Sequence, residues 1–268
     1  MGWSYLLIIC IVCAILCAVG FYKYVYFLSI GYGFAIAGGG ITVLIIALAN
    51  GWTDEVTWLA VLQMLVFLVY GARLSGFLLI REIKNAAYRK TLKEATGNDK
   101  KIPIFVSIAI WIVCAILYTA QVSPMLYRFM NDSKDVVVPL IGMLISMGGL
   151  ILESISDHQK TEQKKADPNK VAMQGLYKYV RCPNYFGEII YWTGILISGL
   201  TTYDGIGQWL MAIIAYISIV YVMFNGAQRL EKRQMARYGS DEEYKAYADK
   251  TPIIIPLLPI YHLNKQAK

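Results

Sequence analysis

Residues 179–188, YVRCPNYFGE, bring a basic residue, an amide, two tyrosines and a carboxylate together where an apolar run begins. Pro183 suits the first position of a helix, whose free N–H groups would then face the polar side of that run. A helix N-terminus with Arg181 beside it attracts anions such as phosphates. Glu188 lies one turn after Asn184 and inside the apolar run, where a carboxylate costs free energy unless it is paired. The segment therefore predicts a ligand site with an anion-binding edge.

A second group of polar residues follows an earlier apolar run. Glu153, Asp157, Lys160 and Lys164 occur at helical spacing, so on a helix they line one face. The carboxylates near the apolar run could hold ribose hydroxyls, and the lysines farther along could hold phosphates. An ordinary solvated helix with internal ion pairs is the alternative interpretation.

Three other candidates lie in or beside apolar runs. Tyr70 and Arg73 are one helical turn apart on one face, so the phenol could donate a hydrogen bond or a proton to a ligand oxygen. The alternative is that Arg73 only extends its long side chain to the membrane surface. Arg229 follows the last apolar run, where it could close over a phosphate or anchor the helix at lipid headgroups.

Membrane helices must position these residues. Hydrophobic residues make up 57% of the 268-residue chain and charged residues only 16%, a composition typical of membrane proteins. Seven runs reach roughly the 20 residues that cross a bilayer. They are residues 4–22, 25–49, 56–80, 102–120, 136–153, 185–203 and 206–228. We therefore predict an all-α polytopic membrane protein with seven transmembrane helices and one membrane domain over residues 1–268.

The distribution of positive charge predicts the topology. The net charge is +7, and the 25 Lys and Arg residues are concentrated in alternate connections and in the C-terminal tail. The positive-inside rule places those segments in the cytoplasm, with the N-terminus outside and the C-terminus cytoplasmic. The basic charge thus reports topology and does not indicate nucleic-acid binding. His158 and His262 are isolated. The Cys-x-x-Cys pair of Cys10 and Cys13 has no second pair of ligands elsewhere in the sequence, so no metal site is predicted.

Two other patterns concern helix packing and length. Gly31, Gly33 and the glycines at 38–40 predict that neighbouring helices approach the second span closely. Residues 81–101 carry seven basic residues and end in a turn signal. They predict a helix that continues from the third span into the cytoplasm.

These motifs together resemble the steroid 5-alpha-reductase family and its bacterial relatives. The resemblance covers roughly residues 140–258 and is carried by ESISDHQ at 153–159, GLYKYVRCPNYFGE at 175–188, LEK at 230–232 and TPIIIP at 251–256. Members of that family are seven-span membrane reductases. They use NADPH to saturate a carbon–carbon double bond conjugated to a carbonyl in a lipid such as a 3-oxo-4-ene steroid. The resemblance implies substrate-side helices over residues 1–101 and a cofactor-binding region over residues 136–258.

The resemblance also implies roles for individual residues. The cofactor would contact Asp157, Lys164, Arg181 and Asn184, with Glu153, Lys160, Lys170, Tyr179 and Glu188 close by. Arg229 is a looser match in the last membrane helix. Tyr70, three residues before Arg73, matches a tyrosine that polarises the substrate carbonyl in the family.

The chain departs from the family pattern at two places. Cys182 stands where many bacterial relatives have His, and the steroid reductases also lack that His. The family also pairs its tyrosine with an acidic residue on the second span, whereas residues 24–49 contain no Asp or Glu. Ser29, Tyr32 and Thr42 are among the hydroxyl-bearing residues of that span. The carbonyl-polarising pair is therefore incomplete by the family's pattern.

Two other functions stay open at this point. Membrane methyltransferases of the isoprenylcysteine or phospholipid type have a similar Arg-His-Pro-x-Tyr core and use S-adenosylmethionine. Asn184 and Glu188, together with the helix that carries Glu153, favour the reductase. A lipid-binding membrane protein without catalysis is the third interpretation. For the reductase we expect a monomer in a bacterial inner membrane, a lipid or steroid substrate from the bilayer, and a cofactor site that faces the cytoplasm.

Overall fold

The computed structural model describes residues 2–84, 89 and 102–264, and this part of the chain is helical without β-strands. The α-helices are α1 (Gly2–Cys17), α2 (Ile30–Ala49), α3 (Thr57–Lys84), α4 (Ile104–Met130), α5 (Val137–Ala166), α6 (Pro183–Ser198), α7 (Ile206–Tyr238) and α8 (Glu242–Lys250). Short 3-10 helices span Ala18–Phe21, Tyr24–Leu28 and Gly175–Lys178. The predicted helical extension over residues 81–101 is seen as far as Lys84, and its remainder lies almost entirely outside the described residues.

Within the described residues, six stretches are long and apolar enough to cross a membrane. They are Trp3–Phe21, Ile30–Ala49, Thr57–Lys84, Ile104–Met130, Val137–Ala166 and Ile206–Tyr238. The predicted span over 185–203 corresponds to α6, which has 16 residues. At 1.5 Å per residue that helix is about 24 Å long, less than the roughly 30 Å hydrocarbon core of a bilayer. The fold is thus all-α with six candidate spans, and a seventh span through α6 stays a prediction.

The chain divides into two compact units. The first unit contains residues 1–143 and 196–215, and the second contains residues 144–195 and 216–268. Tyr70 and Arg73 belong to the first unit. The other predicted site residues, from Glu153 to Arg229, belong to the second. The predicted cofactor region over 136–258 therefore falls mainly in the second unit, apart from residues 136–143 and 196–215.

Helices α2 and α3 of the first unit cross in close contact. A Cβ atom on Gly71 would lie 2.4 Å from the carbonyl oxygen of Gly33, and one on Gly33 would lie 2.3 Å from the Ser75 hydroxyl. That hydroxyl donates to the carbonyl of Ile30 across the crossing, at 2.6 Å. The glycine at 40 likewise leaves room for Phe67, at 2.9 Å from a Cβ position. The predicted close approach of neighbours to the second span is confirmed.

A glycine crossing also holds α5 against α6 in the second unit. A Cβ atom on Gly149 would lie 2.4 Å from the backbone nitrogen of Tyr191 and 2.6 Å from the carbonyl oxygen of Gly187. A Cβ atom on Gly187 would in turn lie 2.9 Å from the backbone nitrogen of Glu153. Because these contacts are backbone to backbone, neither position can accept a side chain without moving a helix. The crossing therefore fixes Glu153 beside the helix that carries Glu188.

Substitution of Gly149 by alanine should separate α5 from α6. We expect a loss of about 1–3 kcal/mol, the range for overpacking a close contact, seen as a lower thermal unfolding midpoint in mild detergent. Gly148→Ala is the matched control, because a Cβ atom there has nothing within 4 Å. Both changes gain the same helix propensity, so the difference between them reports the crossing. Equal unfolding midpoints for the two variants would contradict the close backbone contact at Gly149.

Candidate functional site

Helix α6 begins at the proline that the sequence predicts as its first residue. The helix begins at Pro183, and the N–H of Phe186 donates to the Cys182 carbonyl at 3.1 Å. The half-buried Asn184 lies in the first turn, where backbone N–H groups have no partner within the helix. Among the described residues its side-chain amide makes no hydrogen bond. This end of α6 thus presents backbone and amide groups that a ligand can use.

The predicted polar face lies on one unbroken helix, α5. Glu153 is buried, and Asp157, Lys160 and Lys164 are partly buried, whereas intervening residues such as Ser154 are exposed. The prediction that these four residues share a face of a helix is confirmed.

Lys164 on this face is hydrogen-bonded to other groups of the protein. Its ammonium donates to the Tyr238 hydroxyl at 2.9 Å, to the Pro168 carbonyl at 3.3 Å and to the Lys170 carbonyl. The side chain of Lys170 forms an exposed ion pair with Glu243, at 3.6 Å. These two lysines therefore position the segment after α5, and a phosphate would have to compete with their present contacts.

Tyr185 is the point where α5, α6 and α7 converge. The carboxylate of Asp157 and the guanidinium groups of Arg229 and Arg233 lie close enough to act electrostatically on its hydroxyl. Its ring packs on the backbone of α7, because a Cβ atom on Gly226 would lie 3.3 Å from it. No pattern in the sequence assigns a role to Tyr185 or distinguishes Arg233 from the other basic residues near it. The two arginines give this convergence a positive edge, opposite in charge to phosphate.

Two buried carboxylates lie between α5 and α6. Glu153 is 6% exposed and Glu188 is 4% exposed, and both act electrostatically on the Tyr191 hydroxyl. Glu188 Oε1 accepts a hydrogen bond from Trp192 Nε1 at 3.0 Å. The expectation that Glu188 is costly in an apolar run unless it has a partner is consistent with this contact. Tyr191 and Trp192 were not singled out from the sequence, since aromatic residues are ordinary in a membrane helix.

Arg181 has a carboxylate partner within the protein. Its Nη2 lies 2.8 Å from Glu231 Oε1, and the two side chains are 2% and 1% exposed. Nη2 also donates to the Tyr261 carbonyl. The backbone N–H of Arg181 donates to the Pro252 carbonyl at 2.8 Å. Arg181 therefore ties the start of α6 to α7 and to the C-terminal segment, and its charge is already balanced.

Cys182, next to Arg181 in the chain, is buried at 2% exposure. Burial raises the pKa of the Cys182 thiol to about 12, against smaller opposing effects of Lys160 and Arg181. The thiol is therefore neutral at physiological pH and not a nucleophile. Tyr179 is 70% exposed. In the described part of the chain, no group of three or more His, Cys, Asp or Glu residues could hold a metal ion.

Tyr70 in the first unit is fully buried. Its ring lies 5.7 Å from the ring of Tyr32 on α2, edge to face. Arg73, one turn later, places its guanidinium 5.8 Å from the centre of the Phe77 ring. A phenol of α2 thus lies against Tyr70, whereas the family pattern has a carboxylate on the second span.

Comparison with protein families covers most of the chain. Residues 33–251 match the family described as "Protein of unknown function (DUF1295)". The chain belongs to the DUF1295 family. The matched range includes every residue of the candidate site in the second unit, as well as Tyr70 and Arg73.

This DUF1295 protein is also similar to curated reductases. It is 23% identical over 169 residues to the 3-oxo-5-alpha-steroid 4-dehydrogenase 1 of Bos taurus. The aligned region covers 60% of this chain and 59% of that protein. It is 23% identical over 121 residues to the enzyme of the same name from Rattus norvegicus, covering 44% of this chain and 41% of that protein. The resemblance to the steroid 5-alpha-reductase family is confirmed. The chain spans about two fifths to three fifths of the length of these relatives, and no solved structure matches it.

Proposed function

We propose that this DUF1295 protein is a membrane reductase that uses NADPH to reduce a carbon–carbon double bond conjugated to a carbonyl, in a steroid-like or other lipid. The observation that carries the proposal is the start of α6. There the amide of Asn184, which has no hydrogen-bond partner among the described residues, lies in the first turn, and the charges of Asp157, Arg229 and Arg233 lie within electrostatic range of the hydroxyl of the next residue, Tyr185. An amide, a carboxylate and two guanidinium groups are the donor and acceptor set that a dinucleotide needs. The names of the curated relatives support the same reaction class.

Each candidate site residue in the second unit has a proposed task. Asp157 accepts hydrogen bonds from ribose hydroxyls, and Arg229 and Arg233 balance phosphate charge. Asn184 and the free N–H groups of the first turn of α6 donate to the cofactor. Arg181 acts by holding the start of α6 in place through Glu231. Further tasks follow from the resemblance: Lys164 contacts the cofactor, and five other residues lie close to it, namely Glu153, Lys160, Lys170, Tyr179 and Glu188.

The first unit is proposed to hold the lipid. When bound, NADPH would supply the hydride that adds to the carbon beta to the carbonyl. Negative charge then develops on the carbonyl oxygen, where a preplaced donor stabilises it. Tyr70 is suited to that task, because a phenol with a reference pKa of about 10 stays protonated at working pH. Arg73, one turn away, is proposed as the second catalytic residue.

The proposal includes the membrane arrangement. It places α6 as a seventh span, the N-terminus outside, and the C-terminal tail with the cofactor site in the cytoplasm. The charge distribution supports this orientation. A monomer in a bacterial inner membrane that draws its substrate from the bilayer is part of the same proposal.

Cofactor-dependent thermal stabilisation of the purified protein tests the proposal. In mild detergent, NADPH should raise the unfolding midpoint more than NADH or S-adenosylmethionine does. Asn184→Ala should weaken NADPH binding about tenfold, since a lost hydrogen bond of about 1–1.5 kcal/mol corresponds to that factor.

Asn225→Ala is the matched control for Asn184. The Asn225 amide already donates to the Tyr221 carbonyl of its own helix, at 2.9 Å, so its loss should leave NADPH binding unchanged. Equal weakening by both variants would remove Asn184 from the site. Stabilisation by S-adenosylmethionine alone would replace the reductase by the methyltransferase.

A further inference from the structure

The C-terminal segment contains an exposed apolar loop that the proposed function does not use. The Ile253 N–H donates to the Ile260 carbonyl at 2.8 Å, which closes the loop. Residues 256–260 read PLLPI, and we call them the apolar tip. Leu257 is 98% exposed and Leu258 is 44% exposed, and every side chain of the tip is apolar. A contiguous exposed apolar surface of this kind is typical of a contact with a membrane or with another molecule.

The backbone holds the tip in one shape. Leu257 has a φ of +70°, in the left-handed region that glycine adopts freely and leucine rarely does. Pro256 precedes it and Pro259 follows, and the ring of each proline fixes its φ angle. A glycine at 257 would relieve the backbone, and a polar residue would be better hydrated. Leucine has neither advantage in water, so its side chain is suited to an apolar environment outside the folded chain.

The base of the loop is packed inside the second unit. Ile253 and Ile254 are each 1% exposed, and they form a buried cluster with Cys182, Ile189 and Ala227. The isoleucines that precede the tip therefore fill the apolar space between α6 and α7. The leucines of the tip are left outside that cluster, on a loop whose base is fixed.

The segment lies where α7 changes from apolar to charged. Exposed apolar side chains continue along α7 as far as Tyr221, and the first charged residue of the helix is Arg229. Between these points Phe224 packs on the buried cluster, and the Gln228 amide donates to the Leu263 carbonyl at 3.1 Å. On a helix that crosses a bilayer, such a change marks the boundary between hydrocarbon and headgroups. With α7 as a span, the C-terminal segment lies at that boundary.

We propose that the apolar tip inserts into the lipid bilayer beside α7 and so anchors the C-terminal segment at the membrane surface. Residues 251–260 contain no charged side chain, so insertion dehydrates no charge. Burial of Leu257 and Leu258 among acyl chains removes their apolar surface from water. The next residue, Tyr261, has a phenol that suits the headgroup layer.

Anchoring of the tip also bears on the start of α6. The Arg181 N–H donates to the Pro252 carbonyl at 2.8 Å, before the tip, and Arg181 Nη2 donates to the Tyr261 carbonyl, after it. Arg181 thus contacts the chain on both sides of the apolar tip, and a tip held in the bilayer keeps the segment against α6. The inference depends on α7 crossing a membrane and not on the proposed reaction.

Fluorescence quenching in liposomes tests the insertion. The full chain with Leu257→Cys is labelled with the fluorophore NBD and reconstituted in phosphatidylcholine and phosphatidylglycerol. Because the Leu257 side chain is almost fully exposed, its replacement removes no packing contact. A lipid with a doxyl group near the headgroup end of its acyl chain should quench the label strongly, and aqueous iodide should quench it weakly. The native cysteines are buried or partly buried, and labelling of the wild-type chain measures their background.

Ala246→Cys is the matched control. Ala246 is exposed on α8 among charged residues of the same unit, so a label there should be quenched by iodide and not by the doxyl lipid. Equal iodide quenching at positions 246 and 257 would overturn the inference, because the tip would then lie in water. Protection from both quenchers that appears only at high protein-to-lipid ratio would also overturn it, because a second copy of the chain would then cover the tip.

A charge in the tip provides a second measurement. A label on Leu258→Cys should also be quenched by the doxyl lipid. Addition of Leu257→Asp should expose that label to iodide, because a carboxylate is costly in hydrocarbon. Doxyl quenching at position 258 that the aspartate leaves unchanged would contradict insertion through Leu257. Loss of doxyl quenching with a gain of iodide quenching would support the membrane anchor, whether or not NADPH stabilises the protein.

Discussion

Replacing Arg181 by methionine is expected to lower the free energy of unfolding by about 3–5 kcal/mol. The change leaves Glu231 as an unbalanced carboxylate in a place where both side chains of the pair are at most 2% exposed. Burying a charge without its partner is among the most destabilising changes known for a single side chain. The measurement is the thermal unfolding midpoint in mild detergent without cofactor, so that an effect on binding does not enter.

The same pair organises the C-terminal segment. Glu231 Oε2 accepts hydrogen bonds from the N–H groups of Leu263 at 2.9 Å and Asn264 at 3.0 Å. Its Oε1 lies 3.0 Å from His262 Nδ1, and His262 Nε2 lies 2.9 Å from Asp249. Glu231→Leu removes the acceptor shared by these groups. We therefore expect a loss of similar size and faster proteolysis of residues 251–264.

The controls separate the buried pair from charge in general. Glu243→Gln removes one partner of the exposed Lys170 pair, at 3.6 Å, and should change the midpoint little, as is usual for surface ion pairs. The double variant Arg181→Met/Glu231→Leu should lose less than the sum of the single losses, because neither charge is then left alone. Additive losses, or a loss for Glu243→Gln as large as for Arg181→Met, would contradict this account.

The local features of the site could be predicted from the sequence because short-range rules determine them. Pro183 begins α6 because proline lacks only an N–H that the first turn does not need. The face with Glu153 and Asp157 follows from helical periodicity once α5 continues past its apolar run to Ala166. The glycines of the second span indicated close neighbours, although not which helix each one meets.

The contacts between distant residues could not be predicted in this way. Arg181 was expected to attract a phosphate, but its partner Glu231 lies 50 positions away, and no local pattern connects them. Gly149 gave no signal that separates it from Gly148, although only Gly149 meets another backbone. Such pairings depend on how the helices pack, which periodicity along one helix does not specify.

The surroundings of Tyr70 show the same limit. Residues 24–49 contain no Asp or Glu, so the pair around Tyr70 is incomplete by the family's pattern. In the structure Tyr32 lies beside Tyr70, and Gln121 of α4 donates a hydrogen bond to the Tyr32 hydroxyl, a contact that no sequence pattern indicates. A buried glutamine in a membrane helix is a single polar residue, and its meaning depends on its contacts.

Replacing Tyr70 by phenylalanine should lower kcat/KM for an enone lipid by about 10²–10³-fold, the usual effect of removing one donor to a developing oxyanion. The ring is fully buried and packs on Tyr32, so phenylalanine keeps the shape and loses only the hydroxyl. NADPH oxidation with cholest-4-en-3-one measures the rate, and thermal stabilisation by NADPH measures cofactor binding. We expect the rate to fall with cofactor binding unchanged.

Tyr118→Phe is the matched control for this change. Its ring belongs to the same aromatic cluster, but its hydroxyl donates to the Phe27 carbonyl at 2.5 Å. This variant should lose stability, because it leaves a buried carbonyl without its donor, and should retain most of its turnover. A Tyr70→Phe enzyme that turns over as fast as Tyr118→Phe would remove the phenol from the chemistry. A fall in turnover confined to Tyr70→Phe would show that the Tyr70 hydroxyl acts on the substrate. The Tyr118 hydroxyl would then have a structural task only, although the rings of both tyrosines lie against Tyr32.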